Sequence, residues 1–211
     1  MTESIEKTRL LDIAIIGGGP GGLSAAHALV NQGLSVGIFE RARALRPIGA
    51  ALGLAQQGYQ ALSDINPQLS TRVRSLSANP QRQLLMRPNG EVLFLDESPM
   101  AGTSFTWVGW HTLQTCLRDC LPDSVHLYLN HKLIHFTTSD GADRLVRLKF
   151  QNQSEYLAKV LVGADGYNSA VRNATVQDGK PLYTGTMTWR GIVPRQAMMP
   201  LNTSRLSIKQ S

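Results

Sequence analysis

No apolar run in these 211 residues approaches the ~20 residues of a membrane span, which excludes a spanning helix as an organising element. The first ten residues, MTESIEKTRL, are polar and charged and lack the apolar core of a signal peptide, so the expectation is a cytoplasmic protein with no transmembrane segment. Cysteine is almost absent. Its two copies, Cys116 and Cys120, fall one helical turn apart without histidines at ligand spacing, so half-buried thiols are expected rather than a disulfide or a metal site. His126, His131 and His135 are scattered over predicted strand and turn, and no metal is expected there either. Lys and Arg number 21 against 15 acids, a net charge of +6, yet the basic residues are scattered singly. Without a basic run or a basic-aromatic motif, nucleic acid is not an expected partner.

What the chain has is a 42% hydrophobic composition, enough for a packed core, and 19 glycines. The glycines concentrate usefully in one place. Residues 11–40 read LDIAIIGGGPGGLSAAHALVNQGLSVGIFE: an apolar β-branched run, a glycine cluster, a small-residue helical pattern, and a second apolar run ending on an acid. This predicts strand, turn, helix and parallel strand, with G-x-G-x-x-G met by Gly17, Gly19 and Gly22. Gly17 would let the chain turn at the strand end, Gly19 would let a pyrophosphate approach the backbone, and Gly22 would let the helix lie close to the sheet. A diphosphate is stabilised at such a helix start by unpaired N–H groups and the positive end of the dipole. Glu40, closing the second strand, stands where an acid accepts hydrogen bonds from a ribose diol.

After Glu40, the cations Arg41, Arg43 and Arg46 and the breakers Pro47 and Gly49 predict a loop near the ligand. Leu54, Tyr59, Leu62 and Ile65 then predict an amphipathic helix. Arg41 is a candidate for the adenosine end, and residues 49–52, with Gly49 and Ala51, for the far end. Residues 83–95 predict a hairpin around Asn89-Gly90. Residues 110–121 predict a helix with Leu113, Leu117 and Leu121 on one face, stopped by Pro122. Four strand-like runs follow, at 125–129, 132–137, 145–150 and 156–162. The last leads into GADGYNSAVR, placing Asp165 and Gly166 at a strand's carboxyl end, in the crevice that Gly19 faces.

Together, GGGPGGLSAAHAL with Glu40-Arg41, the loop of residues 48–52, GADGYNSAVR and YTGTMTWRGIVP (residues 183–194) resemble the single-component, class A FAD-dependent monooxygenases, the group that includes p-hydroxybenzoate hydroxylase. The fold class implied is α/β: a Rossmann-like FAD-binding βαβ domain with a parallel sheet and inserted antiparallel strands, entering a truncated substrate domain. The implied domains are residues 1–180, with an antiparallel insertion at about 80–108, and residues 181–211 as the start of the substrate domain. The resemblance implies FAD as cofactor and NAD(P)H as co-substrate. Gly17, Gly19 and Gly22 would be at the diphosphate, Glu40 and Arg41 at the adenosine, Gly49 and Ala51 in the loop, and Asp165 and Gly166 in the second fingerprint.

It also implies that NAD(P)H reduces the flavin and that one atom of O2 passes to an aromatic ring or an alkene of a small aromatic or isoprenoid-like substrate. No side chain is named as catalytic. Two departures are visible: the arginine of the family's Arg-x-x-Leu-x-x-x-Leu element is Trp110 here, and the family's downstream Gly-Asp motif does not occur. The expectation is therefore the FAD-binding part of an oxygenase, incomplete as given, that would use a complementing C-terminal chain. The competing readings are an NAD(P)-dependent dehydrogenase, a flavin reductase acting on isoprenoid double bonds, and a non-catalytic nucleotide-binding fragment that needs a partner.

Overall fold

A computed structural model describes residues 10–47, 50–79, 83–96, 105–139, 144–179 and 182–191. The first unit is the one the glycine pattern predicts. Strand β1 (Leu10–Ile16) runs into helix α1 (Pro20–Val30), and β2 (Val36–Phe39) returns parallel to β1, with Ile13 opposite Val36 and Ile16 opposite Phe39. Pro20 suits the first helical turn because its missing N–H would have no partner there.

The loop after Glu40 departs from expectation at Leu54. This residue ends a short strand, β3 (Ala51–Leu54), and the helix begins only afterwards as α2 (Gln56–Ile65). A second helix, α3 (Pro67–Ser75), follows at once, its start capped by the Asn66 side chain, which accepts from Gln68 N–H at 3.0 Å. The expected hairpin forms from β4 (Gln83–Met86) and β5 (Val92–Asp96), turning through Gly90 at φ +89°. Strand β6 (Thr106–Gly109) pairs antiparallel with β3 and passes directly into α4 (Trp110–Asp119).

Next come β7 (His126–Tyr128), β8 (Leu133–Thr138), β9 (Val146–Phe150), β10 (Glu155–Gly163) and the short α5 (Ala170–Thr175). The main sheet has the order β7-β2-β1-β10-β9-β8, parallel through β10 and antiparallel beyond it. One face of β1 and β2, with Ile13, Ile15, Val36 and Ile38, packs on Leu23, Leu62, Leu69 and Leu117 of the four longer helices. The other face, with Leu11, Ala14, Ile16 and Phe39, is covered by Leu133, Val146, Leu148 and Phe150 of the antiparallel strands. This is why those strands are apolar enough to bury both faces of the parallel ones.

Toward the amino ends of the parallel strands, Asp12 of β1 is tied to β10 and to Ser35, the residue just before β2. Its Oδ1 accepts from Lys159 Nζ at 2.7 Å, and its Oδ2 accepts from the Ser35 N–H and hydroxyl at 2.9 and 2.8 Å. The Lys159 ammonium and the Ser35 donors hold the Asp12 carboxyl well below the usual carboxylate range.

Candidate functional site

The carboxyl ends of β1, β2 and β10 open on a cleft of about 810 Å³. A Cβ on Gly17 would collide with the Ala164 carbonyl, and Gly17 has φ +110°. Its glycine is therefore required by the neighbouring strand end as well as by the turn. A Cβ on Gly22 would collide with the Gly17 carbonyl oxygen, so this glycine sets how closely α1 lies on β1. Gly19 is different. It has extended backbone (φ −79°, ψ 177°), lines the cleft, and a Cβ there would meet only Trp110 Cζ2 at 3.8 Å. Of the three, Gly19 alone has its absent side chain turned to open space, the arrangement a closely approaching diphosphate needs.

Glu40 binds protein before it binds anything else. Its Oε2 accepts from Gly18 N–H at 2.7 Å and its Oε1 from Ala42 N–H at 2.8 Å, so the acid fixes the glycine turn against the end of β2. The turn after β7 straps the same point: Glu40 N–H donates to Tyr128 O, His131 N–H to Glu40 O, and Asn130 N–H to Ala42 O, each at 2.8 to 2.9 Å. Asn130 does this with φ +59°, a conformation asparagine tolerates better than most residues. Arg41, Arg46, His131 and Lys132 line this end of the cleft.

Asp165 and Gly166 line the opposite side, so the two strand-end acids do share one crevice. The Asp165 carboxylate is also a structural acceptor. It takes the Ser169 hydroxyl at 2.5 Å and the Ala170 and Val171 N–H groups at 2.6 and 3.3 Å, closing the start of α5. Gly166, at φ +79°, makes the turn between strand and helix. Two sequence candidates remain. Gly49 lies outside the described residues, and Ala51 sits in the β3–β6 ladder opposite Gly109, apart from the residues lining the cleft.

Sequence reasoning passed over Gln114. It is 8% exposed and its Nε2 donates to the Gly18 carbonyl at 2.7 Å, joining α4 to the glycine turn. A polar residue amid Leu113, Cys116 and Leu117 in the helical register was the available signal. Cys116 is buried and Cys120 half-buried, both as free thiols, and burial pushes the Cys116 thiol up. Among the described residues no group of His, Cys, Asp and Glu is placed to hold a metal ion, and no helix is long and apolar enough to cross a membrane.

Comparison with known proteins agrees with this geometry. Residues 10–202 match the family model described as an FAD binding domain. The chain is 31% identical over 186 residues to the aurachin C monooxygenase/isomerase of Stigmatella aurantiaca, covering 86% of this chain and 47% of that protein. It is 28% identical over 193 residues to the 3-amino-4-hydroxybenzoate 2-monooxygenase of Streptomyces cremeus, covering 88% and 47%. The chain thus spans about half the length of these curated relatives. The crystal structure of the flavin-dependent monooxygenase PieE in complex with FAD and substrate superposes with a TM-score of 0.65 at 19% identity, covering 80% of this chain and 32% of that one, a likeness of fold. Since the family match runs from β1 to beyond α5, the chain belongs to the FAD binding domain family, and its cofactor is FAD.

Proposed function

We propose that this chain supplies the FAD-holding part of a flavin-dependent monooxygenase that hydroxylates or epoxidises a small aromatic or isoprenoid-like substrate. The observation that carries the reading is Gly19 bare toward the cleft at the start of α1, with Glu40 and Asp165 fixing the walls on either side. In this reading the α1 N-terminus, with Gly17 and Gly22 shaping the turn, receives the diphosphate. Glu40 and Arg41 receive the adenosine, and Asp165 and Gly166 hold the second wall. Bound FAD would accept a hydride from NAD(P)H and activate O2. The residues of this chain bind, orient and limit water; none is assigned a proton transfer. A cytoplasmic location follows the same reading, as does assignment of residues 1–180 to the FAD domain, with the hairpin region as an insertion, and of residues 181–211 to the start of a substrate domain.

Support for a complementing C-terminal segment comes from exposed apolar side chains. Leu85, Leu93 and Phe94 of the hairpin and Tyr183, Met187 and Trp189 beyond α5 stand in solvent.

The test is the visible spectrum of the purified 211-residue protein before and after FAD addition and desalting. Retained flavin absorbance, with a melting temperature raised by FAD, is expected. A colourless protein whose melting responds to NADH and ignores FAD would replace this reading with a dehydrogenase.

A further inference from the structure

Beside the glycine turn, the wall of the cleft is an indole. Trp110 is the first residue of α4, and Gln114 follows one helical turn later on the same face. The bond from Gln114 to the Gly18 carbonyl pins that face to the turn, and the Trp110 backbone N–H donates to the Ala50 carbonyl at 2.8 Å. Between these anchors the indole is held over Gly19, its Cζ2 3.8 Å from where a Cβ on that residue would stand. The space left bare by Gly19 and the space bounded by Trp110 are the same space.

Charge in the cleft is uneven. Arg41, Arg46 and Lys132 all follow β2 or β7, whereas around the start of α1 the described lining residues are Gly17, Gly19, Pro20, Gly21, Trp110 and Gln114, with no cation among them. A diphosphate there meets backbone N–H groups and the helix dipole, and beside them a ring with a positive rim and one N–H donor. We propose that Trp110 is a cofactor-contact residue of this chain: its indole packs against the diphosphate end of bound FAD, giving an apolar wall and a neutral donor where a cationic side chain would give charge. This rests on the FAD reading above.

The test uses the full chain carrying Trp107→Phe and Trp189→Phe, which leaves Trp110 as the one indole of the original 3. FAD is titrated while emission and heat are followed in parallel. Trp110 emission is expected to fall in step with binding as the indole comes within contact of an absorbing cofactor. In the otherwise native chain, W110A is expected to weaken FAD binding about tenfold, with the melting of the FAD-free protein little changed. W110R should bind well at low salt and lose affinity as salt rises, unlike the native chain. Calorimetric binding with Trp110 emission unchanged, or native affinity in W110A, overturns the inference and leaves FAD binding intact. Absence of FAD binding by the native chain overturns the FAD reading, and the inference falls with it.

Discussion

The glycine turn and the β4–β5 hairpin are built on opposite terms. At the turn, three polar side chains are used inside the protein: Glu40 binds two backbone N–H groups, Gln114 binds a carbonyl, and Asp165 closes a helix start. The hairpin has good turn chemistry and a paired register, but Leu85, Leu93 and Phe94 are 56%, 50% and 49% exposed. Two strands cannot bury a side chain between them, so backbone pairing alone gives the hairpin no core. The difference teaches that local pattern sets an element's form, while its energy comes from what covers it.

The comparison breaks most severely at Gly22. Gly22→Val drives a branched side chain into the Gly17 carbonyl and should cost about 3 kcal/mol or more, seen as a large drop in denaturation midpoint together with loss of FAD. Gly19→Val sharpens the point, because its backbone is extended and its Cβ would meet only Trp110. That variant should melt within about 1 kcal/mol of the native chain yet fail to retain FAD after desalting. If both glycines prove equally costly to stability, Gly19 is a packing residue and its place in the cleft is incidental.

Gln114→Ala should come next, at about 1 to 2 kcal/mol, because it leaves the Gly18 carbonyl without its partner where water reaches poorly. The same denaturation curves check it. Here lies the boundary of what the sequence could tell. Gly17, Gly22 and the βαβ order were legible because the turn they form is local, although the Ala164 carbonyl that also bars a Cβ at Gly17 comes from a strand far along the chain. Gln114 was not legible as a site residue, and Trp110 was legible only as the replacement of the resembled family's arginine, because what each touches depends on α4 arriving at a turn ninety-odd residues earlier in the chain. The β3–β6 ladder was hidden for a related reason. Residues 51–54 read ALGL, without strand alternation, and Gly53 is accommodated under the Phe105 ring, a contact no local rule supplies. Asp165 lines the same cleft as Gly19, but its hydrogen bonds to the start of α5 depend on how β10 meets that helix, which no local pattern specifies.

A smaller effect, and one of opposite location, is expected from Asp12, near the amino end of β1 and away from the carboxyl ends that form the cleft. Its folded pKa lies below its unfolded one, so its contribution is fully present above about pH 4 and is lost as pH falls toward the folded value. Native and Asp12→Asn proteins should therefore differ in melting temperature at neutral pH and converge in acid. A gap that widened in acid would mean that the ion pair with Lys159 is not the source. FAD retention should be unchanged in this variant, since Asp12 is remote from the cleft.

The least effect on folding should come from the hairpin itself. In Leu93→Lys with Phe94→Lys, two half-exposed apolar side chains become charged without opening a cavity, so the denaturation midpoint should move by no more than about 0.5 kcal/mol per site. Association should respond far more, because an exposed apolar surface beside a two-stranded edge invites pairing with another molecule. Light scattering on the native and doubly substituted chains, at matched concentration and with FAD present in both, separates the two effects. If the substitutions instead lower the midpoint by several kcal/mol, the hairpin is buried against the rest of the chain in solution, and the contrast with the glycine turn disappears.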